Sequence, residues 1–156
     1  MIDNFKIVAK SGIPFSVNNI LGFPHETREL AFDTIRFNKL IDANDRNAYH
    51  FTPFHGTPLR DEVERLGFLK DEDIVQSFVI GTSLLNMPQF PRDQIEGLTK
   101  TFNMYVKFPE NRWDHIRLAE QKNEEGERIY QELREEFVEK YFDNQDEGIE
   151  VAAMGN

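Results

Sequence analysis

The chain contains no cysteine among its 156 residues. This absence excludes disulfides, thiolate zinc sites and cysteine-ligated iron–sulfur clusters from the chain. It also lacks any apolar run close to the roughly 20 residues that cross a bilayer. The first residues, MIDNFKIVAKSG, lack the basic-then-apolar order of a signal peptide. We therefore expect a soluble, cytoplasmic protein that does not contact the membrane.

Basic residues are also fewer than acidic ones. Lys and Arg number 18 against 28 Asp and Glu, which gives a formal net charge of −10. This balance argues against a large basic face for nucleic acid. The hydrophobic content of 39% and the 14 phenylalanines are typical of a globular chain, and the length is about that of one domain with a single core.

The first part of the chain predicts a helix, a strand and a second helix. Helical spacing of apolar residues predicts a helix over residues 2–11, with Gly12 placed to end it. The next run, IPFSVNNILGF, has strand composition and predicts a strand over residues 14–22. Thr27 can then cap a helix whose first turn carries Glu29, a charge that is favourable at the positive helix end.

A second unit of the same kind follows. The segment NAYHFTPF, residues 47–54, predicts a short strand. Thr57 as N-cap, Pro58 at the first helical position and Gly67 beyond the end bracket a helix over residues 58–66. Alternating strands and helices of this length predict parallel pairing through crossover connections.

The rest of the chain is predicted to be mainly helical. A short helix is expected from Asp71 to Phe78, and a turn between Pro88 and Pro91. Three further helices are indicated by apolar residues spaced three and four apart. The first carries Ile95, Leu98, Phe102 and Tyr105, the second begins at Pro109 and carries Trp113, and the third carries Tyr130, Leu133, Phe137 and Tyr141, with Gly126 as a weak point or interruption.

We therefore predict an α/β protein. Its barrel-like part covers residues 1–90 and is a partial (β/α) barrel of two or three parallel strands with outer helices. A C-terminal helical extension covers residues 91–143. The polar tail, residues 144–156, is predicted to be disordered.

Two segments at predicted strand ends could carry chemistry. They are ILGFPHET, residues 20–27, and TPFHGTPL, residues 52–59. In parallel α/β folds the carboxyl ends of the strands face the ligand, because the loops and helix N-termini that follow converge there. For either segment alone, a tight strand–helix turn is the preferred interpretation, but two such exits at one end of adjacent strands describe a shared rim.

The pair of segments resembles the fifth- and sixth-strand motifs of radical S-adenosylmethionine (SAM) enzymes, whose usual forms are close to I-x-G-F/L-P-G-E-T and P-x-x-G-T-P-L. The later sequence MPQF … KTFNMYVKFP is similar to the cobalamin-binding subfamily. The resemblance spans roughly residues 1–110. It implies that the chain is the C-terminal part of such an enzyme and forms the far wall of the SAM and substrate pocket.

The resemblance also implies roles for individual residues. The apolar residue near the end of the fifth strand packs on the adenine of SAM in this family, and here it is Ile20. Gly22 would let the backbone pass close to the nucleoside. The main chain after the sixth strand lines the adenine pocket, which here means Thr52, Pro53 and Phe54. The resemblance assigns no catalytic residue and no metal ligand to this chain.

The chain departs from the family pattern in two ways. His25 replaces the glycine of P-G-E-T, and Asn18 replaces the first glycine of a G-x-I-x-G pattern, which affects the geometry of the turn. The C-x-x-x-C-x-x-C loop that holds the [4Fe–4S] cluster is absent, so the cluster, and cobalamin where the family uses it, would be bound elsewhere. We expect weak SAM binding, no activity by this chain alone, and pairing with a cluster-bearing N-terminal half or self-association.

Four histidines and the acidic C-terminal helix offer other interpretations. His25 and His55 both lie at strand exits and could form a metal site with Glu26 as third ligand, but two polar turn residues are the preferred interpretation. His115 is given no role, and the acidic cluster is interpreted as a solvated helix face. The rival function is a non-catalytic interaction module that pairs through its aromatic C-terminal helices. Substrate, methyl transfer versus another radical reaction, and the use of cobalamin stay open.

Overall fold

The computed structural model describes residues 2–74 and 82–141. A short 3-10 helix, Glu110–Arg112, precedes the fifth α-helix. The other elements, in chain order, are α1 (Ile2–Lys10), β1 (Ser16–Leu21), α2 (Arg28–Lys39), β2 (Asp45–His50), α3 (Pro58–Arg65), α4 (Arg92–Lys107), α5 (Trp113–Ala119) and α6 (Glu124–Tyr141). Within the described ranges, every helix is too short or too polar to span a bilayer.

β1 and β2 lie side by side and run parallel. Their register pairs Ser16 with Asp45 and Leu21 with His50. The predicted parallel pairing through a crossover helix is therefore confirmed, and two of the predicted two or three strands are present in the described residues. The fold is mixed α/β, and the partial barrel stays a prediction.

Local capping explains where α2 and α3 begin. Thr27 Oγ1 accepts a hydrogen bond from the Leu30 N–H at 3.4 Å, and Thr57 Oγ1 accepts one from the Arg60 N–H at 3.3 Å. Each threonine thereby satisfies one of the N–H groups that lack a partner at a helix start. Both caps, and Pro58 at the first turn of α3, are as predicted.

One face of the sheet is buried and the other is open. Leu21 packs with Ile35 of α2 and Ile95 of α4 in a core where all three are fully buried. On the opposite face, Ile20 and Tyr49 are paired across the two strands and keep 48% and 36% of their surface exposed. Alternation along a strand places neighbouring residues on opposite faces, so the helices of the described ranges pack on the side of the sheet that carries Leu21.

β2 is displaced from its predicted position. It begins at Asp45 and ends at His50, whereas the composition predicts residues 47–54. Because β2 begins two residues earlier than predicted, it includes Arg46, which is buried. Its guanidinium is satisfied there by donating to the main-chain oxygens of Ile41 and Ala43. β2 ends at His50, before Pro53, because a proline has no N–H to donate to the hydrogen bonds between the strands.

The helix predicted from Asp71 does not form where the chain is described. Residues 71–72 lie in a turn closed by the Asp73 N–H, which donates to the Lys70 oxygen at 3.1 Å, and residues 73–74 are not helical. The Arg60 guanidinium donates to the main-chain oxygens of Lys70, Asp71 and Asp73, and these contacts hold the segment in its non-helical conformation. The rest of this prediction, with Val75 and Phe78, lies outside the described residues, as does the predicted disordered tail, residues 144–156.

The C-terminal helices follow the predicted order. The turn between Pro88 and Pro91 is present, and α4 carries the predicted apolar stripe. Gly126 does not interrupt α6, because it lies in the first turn, where its N–H donates to Asn123 Oδ1 at 2.8 Å. Arg128 of α6 pairs with Glu125 and Glu132, so the acidic residues there form a solvated, ion-paired face.

Candidate cofactor-binding rim

The two strand exits lie at the same end of the sheet. The Phe51 N–H donates to the Leu21 oxygen at 2.7 Å, which continues the ladder one step beyond β2. Gly22 and Thr52 therefore leave the sheet side by side. We call residues 20–26 and 51–55 the rim.

A half-buried carboxylate stabilises the first exit. Glu26 accepts hydrogen bonds through Oε2 from the main-chain N–H groups of Gly22 and Phe23. Burial raises the pKa of the Glu26 carboxyl, and the two N–H donors act in the opposite direction. Glu26 is thus a turn-stabilising residue, and it does not join His25 and His55 in a shared ligand set.

Gly22 has a structural reason to be glycine. Its φ is +88°, in the region that residues with a side chain rarely adopt. A Cβ there would also lie 3.1 Å from Ile95 Cγ2. The backbone conformation and the close packing of α4 therefore account for this glycine without a ligand, and its predicted place beside a nucleoside stays a prediction.

The second exit has an exposed aromatic residue directly after a buried proline. Thr52 is half-buried and its hydroxyl donates to the His50 oxygen at 3.4 Å, while Pro53 is buried. Phe54 keeps 50% of its surface exposed, and its main-chain oxygen accepts a hydrogen bond from the Thr57 hydroxyl at 2.7 Å. The turn is thus tied to the N-cap of α3.

The exposed apolar groups of the rim suit a flat, weakly polar ligand. Ile20 and Phe54 are about half exposed and lie on the two adjacent exits. On the same two exits, the ring centres of Phe23 and Phe51 lie 4.9 Å apart. Such a surface can bind a ring by apolar contact and by main-chain hydrogen bonds. The rim can therefore bind and orient such a ligand.

The two exit histidines have separate partners. His25 Nε2 lies 2.8 Å from Glu62 Oε1 of α3, and this contact is the main cause of the lowered Glu62 pKa. His55 Nε2 lies 3.2 Å from the main-chain oxygen of Asp71. In the part of the chain that the structure describes, the group of metal-ligating side chains brought together at this site contains His55 and not His25.

Sequence reasoning missed a buried polar cluster between the two predicted parts of the chain. Arg28 donates through two nitrogens to Glu120, which also accepts the hydroxyl hydrogen of Tyr105. Glu120 and Arg28 are far apart in sequence, and no local spacing signals their pairing. A cleft of about 740 Å³ opens next to this cluster, lined in part by Gly97, Lys100 and Lys122, away from the rim.

No protein-family model, no curated protein and no solved structure matches this chain. The family resemblance of the rim motifs, and the roles it implies for Ile20, Gly22, Thr52, Pro53 and Phe54, therefore stay predictions.

Proposed function

We propose that this chain acts as the C-terminal portion of a radical SAM enzyme, where it supplies the far wall of the SAM and substrate pocket. In this role it binds the adenine side of SAM and has no catalytic residue of its own. The [4Fe–4S] cluster, whose chemistry is the reductive cleavage of SAM, would be held by a cysteine-bearing partner. Cobalamin, where used, would also be bound outside this chain.

The observation that carries the proposal is the adjacency of the two strand exits. The 2.7 Å hydrogen bond from Phe51 to Leu21 brings Ile20, Gly22 and the segment 52–54 to one edge. Ligands of parallel α/β folds bind at the carboxyl ends of the strands. The same residues are the ones that the motif resemblance assigns to adenine.

The open face of the sheet gives further support. Ile20 and Tyr49 are apolar or aromatic, yet they remain exposed at 48% and 36%. Among the described elements, β1 pairs only with β2, so its other edge has no strand beside it. A face and an edge of this kind suit a partner that contributes further parallel strands and encloses the pocket.

The rival function as a module that pairs through its aromatic helices has less support. Phe102, Tyr105 and Phe108 of the C-terminal part are 1% exposed. Trp113 packs on Phe32 with ring centres 5.2 Å apart, and Phe137 packs on Phe108 at 6.0 Å. These aromatic groups stabilise the chain's own core.

The test uses SAM binding with and without a partner. SAM would be titrated calorimetrically into the chain alone and into the chain mixed with a protein encoded upstream that carries C-x-x-x-C-x-x-C. We expect weak binding by the chain alone and tighter binding by the mixture. Anaerobic treatment with iron and sulfide should load a cluster in the mixture and none in the chain alone, because the chain has no thiolate.

Substitutions locate the binding surface. Ile20→Ala and Phe54→Ala should each weaken SAM binding by about tenfold, which corresponds to about 1.4 kcal/mol. Leu30→Ala is the matched control, because Leu30 is also exposed, at 51%, but lies on α2. Equal binding by all three variants, or no binding of SAM with any partner, would rule out the proposed role.

A further inference from the structure

A second group of side chains starts at the end of the rim, with His55 in the loop after β2, and includes Glu64 of α3 and Asp71 of the turn that follows it. We propose that His55, Glu64 and Asp71 form a binding site for a divalent transition metal such as Zn²⁺. One ligand atom from each of the three lies within 4.8 Å of the others. The site does not depend on the proposed function of the rim.

The backbone around the site is fixed by one buried side chain. Arg60 of α3 is 1% exposed, and its guanidinium donates to the main-chain oxygens of Lys70, Asp71 and Asp73. His55 Nε2 also lies 3.2 Å from the Asp71 oxygen. These contacts hold the exit loop, α3 and the turn after it together, so the ligands come from three segments whose positions are already set.

The donor set matches the chemistry of zinc. Imidazole nitrogen and carboxylate oxygens are zinc ligands, and three protein ligands with water in the fourth position are common at open sites. The imidazole selects against Mg²⁺ and Ca²⁺, which prefer oxygen ligands alone. One nitrogen and two carboxylates therefore favour Zn²⁺ over the hard cations.

Small side-chain movements would complete the coordination. Zinc–ligand bonds of roughly 2.0–2.1 Å place tetrahedral ligand atoms roughly 3.3–3.5 Å apart, so atoms that now lie within 4.8 Å must approach by at most roughly 1.5 Å. His55 and Asp71 are exposed, which leaves room for this change of rotamer.

The ion pair between Arg60 and Glu64 limits the affinity of the proposed site for Zn²⁺. Arg60 Nε donates to Glu64 Oε1. A carboxylate offers two oxygens, so Glu64 can hold the arginine through one and a metal through the other. The nearby guanidinium charge opposes a second cation, and we therefore expect micromolar rather than nanomolar binding of Zn²⁺.

The test is calorimetric titration of the full chain with Zn²⁺, together with thermal unfolding at several Zn²⁺ concentrations. We expect one ion per chain and a melting temperature that rises with Zn²⁺, because a ligand that binds only the folded state stabilises it. Mg²⁺ at the same concentrations should produce no such rise.

Two variants and one control assign the site. His55→Ala and Asp71→Asn should each weaken Zn²⁺ binding at least tenfold, and Asp71→Asn keeps the main-chain oxygen that Arg60 binds. His25→Ala is the control, because His25 is an exposed histidine at the other strand exit and should leave binding unchanged. Absence of Zn²⁺ binding, or binding that His55→Ala leaves intact, would overturn the assignment.

Discussion

The Arg28 guanidinium and the Glu120 carboxylate form a two-point ion pair, with N–O distances of 2.9 and 2.7 Å. Arg28 is the first residue of α2, and Glu120 follows the last residue of α5. Their side chains are 13% and 8% exposed. This pair thus joins the strand–helix units to the C-terminal helices through a partly desolvated contact.

The pair should contribute strongly to stability. Arg28→Ala leaves the buried Glu120 charge without its cation, and we expect a loss of about 3 kcal/mol in the free energy of unfolding. Urea unfolding followed by circular dichroism measures this change. Arg65→Ala removes an exposed pair with Glu62 and should change stability by less than about 1 kcal/mol. A similar small effect for both variants would contradict the assignment.

A tight helix contact lies beside the same glutamate. A Cβ added to Gly97 of α4 would lie 2.7 Å from Glu120 Cβ and 2.9 Å from its main-chain oxygen. Gly97→Ala should therefore destabilise the chain by about 1–3 kcal/mol through overpacking, although alanine is the better helix former. Gln94→Ala on the exposed side of α4 serves as control and should be neutral or slightly stabilising. A stabilised Gly97→Ala would show that the helices can separate at little cost.

The sequence predicts the local features well and the long-range ones poorly. Thr27 and Thr57 predict where α2 and α3 begin, because capping depends on residues only three positions apart. The position of Arg46 within β2 is not predictable, because a buried arginine breaks the apolar pattern and depends on the carbonyls of Ile41 and Ala43. The ion pair of Arg28 with Glu120 depends on the folded packing and leaves no sequence signal.

The candidate sites were likewise predictable from the sequence only where they depend on local features. Turn residues at the strand ends predict that segments 20–26 and 51–55 share one edge, because parallel strands end on the same side of a sheet. The sequence does not predict the group of His55, Glu64 and Asp71, because its pattern favours a helix from Asp71 where the structure has a turn. The Arg60 guanidinium, which reshapes that turn, has no pattern that identifies its partners.

A second ion pair predicts how the stability of the chain depends on pH. Glu136 of α6 accepts hydrogen bonds from Arg112 at 3.0 and 2.7 Å, and Arg112, followed by Lys140, lowers the pKa of the Glu136 carboxyl from 4.5 to about 2. A carboxyl whose pKa is lower in the folded state stabilises the fold above pH 4.5 and loses that contribution as the pH falls toward 2.

Glu136→Gln tests this contribution. At pH 7 the variant should be less stable than the natural chain by about 1 kcal/mol, and the difference should shrink as the pH falls from about 4.5 toward 2. Urea unfolding at a series of pH values measures the difference. Glu139→Gln on the same helix is the control. A difference that stays constant between pH 7 and pH 3 would contradict the lowered pKa.

The open face of the sheet predicts the behaviour of the chain in solution. α2 and α4 pack on the face that carries Leu21, so among the described elements the C-terminal helices do not fold back over Ile20 and Tyr49. The β1 edge next to this face has no strand beside it in the same part of the chain. An uncovered edge with apolar neighbours tends to associate with another chain.

We therefore expect the chain, in the absence of a partner, to self-associate in a concentration-dependent way through β1. Ile20→Lys should shift the equilibrium toward the monomer, because a charge on an edge strand opposes pairing with a second edge. Leu30→Lys, which places the same charge at an equally exposed leucine on α2, should leave association unchanged. Sedimentation velocity over a hundredfold range of concentration measures both. A natural chain that stays monomeric throughout would contradict this prediction, and the expected pairing with a second set of strands would then lose its physical basis.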